Sequence, residues 1–197
     1  MDVGVLALQG DVQAHAKLLE TLGQPAREVR RVADLAGLQG LVLPGGESST
    51  MWHLMRAGGL DVGLASFANH GGALLGTCAG AILLAREVSN PTACGLGLLD
   101  IGVQRNAYGR QTESCVARAT TDVGRPEWIE AVLIRAPRIV RVGRDVATRA
   151  RIDGDPVWVE TARIIATTFH PELSDERRVH QRFLERATHA APFRAAD

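Results

Sequence analysis

Two kinds of apolar pattern alternate along the first half of the chain. Short unbroken runs at residues 3–8, 40–43 and 73–76 read as strands buried on both faces. Residues 26–32 read as a further strand. Between these runs, apolar positions recur at helical spacing. Residues 11–22 place Val12, Ala16, Leu19 and Leu22 on one helix face, with Asp11 as cap and Gly23 as stop. Residues 50–57, ended by Gly58 and Gly59, and residues 62–70 repeat the helical pattern. Strand–helix alternation of this kind predicts an α/β fold, a three-layer, doubly wound and mostly parallel sheet.

After Leu98 the pattern changes. Short β-rich runs at 101–103, 114–119, 131–134, 139–142, 157–160 and 164–168 are separated by turn residues such as Gly143 to Asp145 and Asp153 to Pro156. They read as an antiparallel extension of the main sheet. Residues 175–189 read as a closing helix with Val179, Phe183, Leu184 and Ala187 as its apolar stripe. Residues 190–197 read as a frayed tail. No repeat or linker interrupts residues 1–197, so one domain is expected.

Composition narrows the function class. Hydrophobic residues make up 46% and charged residues 22%, ordinary for a globular protein, and the formal net charge is zero. There is no electrostatic case for nucleic acid or an anionic membrane. No apolar run is long enough to span a bilayer, and the strand-like start lacks a basic leader. The three cysteines, Cys78, Cys94 and Cys115, lack metal-ligand spacing and form no even disulfide set. A cytoplasmic chain with free thiols is expected.

The candidate chemistry begins at Cys78. The apolar run 73–76 ends in Gly-Thr-Cys-Ala-Gly, and a second run rich in Ala and Leu follows. A strand, a sharp turn and a helix start predict a nucleophile elbow with cysteine in place of serine, the thiol at a helix N-terminus. Gly76 and Gly80 remove the side chains that would crowd it. A small buried cysteine packed between glycines would look the same locally, so partners decide. Of the six histidines, His15, His180 and His189 fall in amphipathic helical patterns, where solvation or packing explains them. His53 and His70 lie near helix ends with no acid placed to orient them. His170 instead ends the apolar run 164–169, at the sheet edge where open α/β folds hold their sites. Glu172, two residues on and past Pro171, can turn back to its imidazole. The loop 45–49, Gly-Gly-Glu-Ser-Ser, also follows a strand. Its glycines let a backbone N–H approach a developing oxyanion, while Ser48 or Ser49 caps the next helix.

The order Pro-Gly-Gly-Glu-Ser, Gly-Thr-Cys-Ala-Gly and Phe-His-Pro-Glu resembles that of the class I, or triad, glutamine amidotransferases, whose sheet is flavodoxin-like. Leu8-Gln9-Gly10, the segment Arg105 to Gln111, Ile134-Arg135-Ala136-Pro137 and 169–173 are similar to the glutaminase subunits of pyridoxal 5′-phosphate synthase. The resemblance spans essentially the whole chain. It implies Cys78 as nucleophile, His170 as acid and base, and Glu172 as the orienting acid. It implies an oxyanion hole at Gly46 and Ala79, and glutamine held against Gly46, Glu47, Ser48, Arg105, Ile134 and Arg135. An arginine suits the α-carboxylate of glutamine and an acid suits its α-ammonium. No metal or organic cofactor is implied. The implied partner is a synthase subunit that receives ammonia through a channel, with one glutaminase on each subunit of a dodecameric core. Cys94 interrupts a segment that touches no motif and reads as structural.

Three other readings share parts of this pattern. A glutaminase serving imidazole glycerol phosphate synthesis would share the triad but lack the 105–111 segment. A noncatalytic module on the same fold would not hydrolyse glutamine at all. A cysteine peptidase or stress-type hydrolase would lack the His-Pro-Glu pairing.

Overall fold

The computed structural model describes residues 1–93, 95–105, 107 and 115–194. Its main sheet has nine strands in the order β2-β1-β3-β4-β12-β11-β10-β7-β8. β1 (Val3–Leu6), β2 (Ala26–Val29), β3 (Gly40–Leu43), β4 (Ala73–Thr77) and β12 (Ile164–Thr167) run parallel. β11 (Asp155–Glu160), β10 (Ala147–Ile152), β7 (Cys115–Thr121) and β8 (Trp128–Leu133) extend it antiparallel. The parallel strands are apolar without alternation because both faces are covered. Val3, Val42, Leu75 and Ile165 pack beneath α1 (Val12–Thr21) and α5 (Arg178–Thr188). Leu6, Leu41, Leu43 and Leu74 pack beneath α2 (Ser48–Ala57), α3 (Leu60–Asn69) and α4 (Ala79–Leu84). That is the three-layer, doubly wound α/β arrangement expected.

Four details differ from the sequence reading. β5 (Ala85–Ser89), β6 (Leu99–Gln104) and β9 (Arg138–Val142) form a separate three-stranded sheet rather than joining the main one. β5 was hidden because Ala85 continues an unbroken apolar run out of α4. β10 was hidden because Ala147-Thr-Arg-Ala-Arg-Ile has too little apolar contrast. The second strand stops at Val29, and a turn of 3₁₀ helix follows at Val32–Leu35. The tail is docked through residue 194 rather than frayed from 190. Phe193 is buried, meets Phe67 edge-on at 5.5 Å, and bonds through its backbone to Gly37 and Leu38, each at 2.8 Å. Among the described residues no helix is long and apolar enough to cross a membrane.

Candidate active site

The carboxyl ends of β1, β3, β4 and β12 converge on one edge of the sheet, and each contributes one piece. At the end of β4, Cys78 adopts φ 46° and ψ −102°, a conformation that costs a non-glycine residue strain. Two bonds hold it there. Its N–H donates to the Thr167 carbonyl at 2.9 Å, and its own carbonyl accepts from Ile82 at 3.3 Å. Gly76 and Gly80 meet at the turn, and a Cβ on either would overlap backbone atoms. The thiol is buried, with Sγ 3.9 Å from the Ile134 carbonyl oxygen.

β12 delivers His170, fixed by its N–H to Val132 O at 2.9 Å. One turn of 3₁₀ helix, Pro171–Leu173, then folds Glu172 back beneath the ring. His170 Nδ1 lies 2.8 Å from Glu172 Oε1. Burial works against a charged imidazole here. Interactions with Cys78 and with the Glu172 carboxylate overcome it and raise the His170 pKa to about 10. Burial likewise opposes ionised Glu172, but His15 and His170 hold its carboxyl far below the usual carboxylate range. The imidazole thus meets the Glu172 carboxylate directly, and Cys78 is among the groups that raise its pKa.

β3 delivers the glycine loop. Gly45 lies against His170, where a Cβ would overlap the imidazole. The Gly45 carbonyl accepts from Asp11 N–H at 3.3 Å, so the trans peptide aims Gly46 N–H away from the β1 turn. Gly46 has φ +155°, and a side chain there would strike Gln9, whose Oε1 accepts from Glu47 N–H at 2.7 Å. The helix cap is Glu47, not Ser48 or Ser49. Its carboxylate accepts from Ser49 N–H at 3.1 Å and Thr50 N–H at 2.6 Å. Burial is outweighed by these two N–H donors, and the Glu47 pKa falls to about 2. Arg105 reaches the same carboxylate at 3.3 Å and Ser49 Oγ at 2.9 Å. The acid and arginine expected to grip the two ends of an amino acid are thus paired with each other across α2.

A recess over the thiol is lined by Gly46, Glu47, Ser48, Arg105, Ile134 and Arg135, together with Cys78 and Ile82. Every substrate residue expected from the sequence is on that wall. Arg135 holds φ 45°, a second strained residue beside the first. Ala79 is the first residue of α4, so its N–H has no acceptor within the helix. Asn106 and residues 108–114, which carry the rest of the 105–111 segment, lie outside the described residues, as does Cys94.

Three residues at the site escaped the sequence reading. Asp11 makes no side-chain cap on α1. Its Oδ2 lies 3.4 Å from His170 Nδ1. His15 and His180, read from the sequence as solvated or packing residues, are fully buried, and His15 lies 3.3 Å from Glu172 Oε1. Asp11, His170 and Glu172 are, among the described residues, the one group with metal-ligand spacing, but their donor atoms already engage one another.

Residues 5–189 match the SNO glutamine amidotransferase family. The chain belongs to that family. It is 52% identical over 189 residues to the pyridoxal 5′-phosphate synthase subunit PdxT of Deinococcus radiodurans, covering 93% of this chain and 96% of that one. The PdxT of Thermus thermophilus is 46% identical over 187 residues, covering 94% and 97%. A crystal structure of a glutamine amidotransferase superposes with a TM-score of 0.89 at 43% identity, over 95% of this chain and all of that one. A putative GMP synthase protein from Thermoplasma acidophilum shares the fold at 20% identity and a TM-score of 0.71, over 96% of this chain and 94% of that one. Glutamine amidotransferases take nitrogen from the glutamine carboxamide, and this chain is an SNO glutamine amidotransferase.

Proposed function

We propose that this chain is the glutaminase subunit of a pyridoxal 5′-phosphate synthase. It hydrolyses L-glutamine to L-glutamate and hands the ammonia to a synthase subunit. The observation that carries the reading is the His170–Glu172 pair beside a recess that is lined by Cys78 and the expected glutamine-binding residues. Near-full-length similarity to PdxT proteins supports the choice of partner.

In this mechanism the proton of the Cys78 thiol rests on His170, and the thiolate attacks the carboxamide carbon. The oxyanion is stabilised by the N–H groups of Ala79 and Gly46. His170 protonates the departing ammonia, then takes a proton from the water that opens the glutamyl thioester. Glu172 holds the imidazole in the tautomer that presents Nε2 to sulfur. The chemistry calls for no metal or organic cofactor. Glutamine lies against Gly46, Glu47, Ser48, Arg105, Ile134 and Arg135. Because Glu47 and Arg105 already pair, substrate must share or exchange that ion pair.

Free ammonia would be lost to bulk water as ammonium, so hydrolysis should wait for the partner. The Gly45–Gly46 peptide is the device suited to this. Flipping it breaks the Asp11 N–H to Gly45 O bond and reverses Gly46 N–H. The partner docks near Gln9 and Gly10, one glutaminase to each subunit of a dodecameric synthase core in the cytoplasm. The test is ammonia release from glutamine at fixed glutaminase while the synthase subunit is titrated in. Activity should rise steeply to saturation at equal subunits, and a Cys78→Ala chain should release none. Full activity in the isolated chain would remove the gating. No release at any partner concentration would leave a noncatalytic module on the same fold.

A further inference from the structure

Behind Glu172, on the side away from the recess, lie two histidines that the mechanism does not use. His15 comes from α1 and His180 from α5, and neither has solvent exposure. His15 Nε2 sits between two oxygens, 3.1 Å from Thr77 Oγ1 and 3.3 Å from Glu172 Oε1. Its Nδ1 lies 2.9 Å from His180 Nε2. Among the described residues His180 Nδ1 has no partner. Thr77 is the residue immediately before Cys78. One imidazole therefore touches both the shoulder of the nucleophile and the acid that orients its base.

The partners fix where the hydrogens are. A bare lone pair on His15 Nε2 would face an ionised carboxylate at 3.3 Å, so Nε2 carries the hydrogen. His15 Nδ1 and His180 Nε2 share one hydrogen between them. Burial, with His15 opposite, lowers the His180 pKa to about 3, so His180 is neutral and able to give or accept that hydrogen. Glu172 Oε1 is thus approached by two N–H groups, His170 on the recess side and His15 behind, while Oε2 has no partner among the described residues. A carboxylate held at one oxygen by two imidazoles is fixed in rotation as well as in charge. Simple core packing needs none of this. Two apolar side chains would fill the space without burying polar atoms, one of them unpaired.

We propose that His15 is a positioning residue for Glu172, and that His180 holds His15 in register, so that the triad is backed by a buried imidazole pair. The proposal rests on the reading of Cys78, His170 and Glu172 given above. His15 never reaches substrate. It acts by keeping Glu172 ionised and aligned on His170 Nδ1.

The experiment uses the glutaminase–synthase complex, with ammonia release from glutamine as readout. His15→Leu should lower kcat about ten- to a hundredfold, the scale seen when a partner supporting a first-contact ligand is lost, while KM for glutamine changes little. His15→Gln can place an amide N–H near the Nε2 position and should recover most of the rate. His15→Asn reaches only toward Nδ1 and should not. The acid limb of the kcat profile should move to higher pH in His15→Leu, as Glu172 protonates more readily. The other titratable groups facing this cluster are Asp11 at the head of α1, His170 and Cys78 at the strand ends, and His180 on α5. Glu172→Gln supplies the decisive background, where adding His15→Leu should cost nothing further. An undiminished kcat in His15→Leu, an equal fall in both backgrounds, or Asn rescuing better than Gln would each overturn the proposal. Should His15→Leu melt before assay temperature, the Gln–Asn comparison still decides. A wild-type complex that releases no ammonia would instead remove the glutaminase reading beneath it.

Discussion

Two buried carboxylates in this molecule are built in opposite ways. Glu160, at the end of β11, accepts from Arg149 at 2.7 Å, from Arg182 at 2.6 and 3.1 Å, and pairs with Arg186 at 3.0 Å. Both of its oxygens are engaged. Among the described residues, Glu172 faces two histidines and no arginine, through one oxygen, with the other unpartnered. Guanidinium does not give up its proton, so the Glu160 cluster fixes β10, β11 and α5 together permanently. Imidazole exchanges protons, so the Glu172 cluster can serve a reaction in which a proton must move. Burial alone does not separate structure from chemistry here. The titration range of the partners does.

The comparison breaks most sharply under substitution. Cys78→Ala and His170→Asn should abolish glutaminase activity in the complex, a loss on the order of a millionfold, and Cys78→Ala should leave the melting temperature at neutral pH little changed. Glu172→Gln should cost less, about a hundred- to ten-thousandfold in kcat. Glu160→Gln should do the reverse. It leaves three arginines around a neutral amide and should destabilise the fold by about 3 kcal/mol, with kcat in the assembled complex within about twofold of wild type. Denaturant midpoints and single-turnover ammonia release, measured on all four, check this. If Glu160→Gln stops catalysis without unfolding, the division between the two regions is wrong.

Gly45→Ala tests how closely the loop is fitted to the imidazole. Its Cβ would overlap the His170 ring, which cannot retreat without leaving Glu172. A displacement near 1 Å is enough to cost about a hundredfold in rate. Near-normal kcat would mean the ring moves freely and that Glu172 does not fix it.

The sequence exposes the local half of this design and hides the rest. His170 and Glu172 are legible because only Pro171 separates them, so one turn brings them together. The elbow at Cys78 is legible because its glycines are adjacent in sequence. His15 and His180 are 165 residues apart, and each reads alone as one polar position in an amphipathic helix. Asp11 reads as a helix cap because its position at the start of α1 is right, yet the side chain turns to His170 instead. Glu47 reads as a substrate ligand, whereas the folded loop also makes it the cap of α2. The Glu160 cluster gathers arginines from β10 and α5, spacing that no local pattern encodes. Phe193 docks only because residues 37 and 38 lie beside it in the fold.

Proton linkage gives the comparison a pH axis. The His170 pKa is raised in the fold from 6.5 to about 10, so its stabilisation is complete below pH 6.5 and is lost as pH climbs through about 10. Glu172 and Glu160 are both lowered from 4.5, so theirs is present above pH 4.5 and fades as pH falls through their folded values. Acid therefore weakens both clusters, whereas alkali between pH 6.5 and about 10 weakens only the histidine one. Cys78 is one of the influences raising His170. Cys78→Ala should therefore shift the alkaline loss of melting temperature to lower pH. An identical alkaline profile in wild type and Cys78→Ala would separate His170 from the thiol.

The smallest effect concerns the second acid at His170. Asp11 Oδ2 is 3.4 Å from the same Nδ1 that Glu172 Oε1 approaches to 2.8 Å, but the Asp11 side chain is 43% exposed while that of Glu172 is fully buried. Water screens the first pair and not the second, so equal charges carry unequal weight. Asp11→Asn keeps the backbone N–H that holds the Gly45 carbonyl and removes only the charge. It should lower kcat by no more than about fivefold, the range of an exposed ion pair, and the loss should shrink as ionic strength rises. The loss from Glu172→Gln should not respond to salt. A salt-insensitive fall of a hundredfold in Asp11→Asn would make Asp11 a full partner of the imidazole, and the triad would then have two acids.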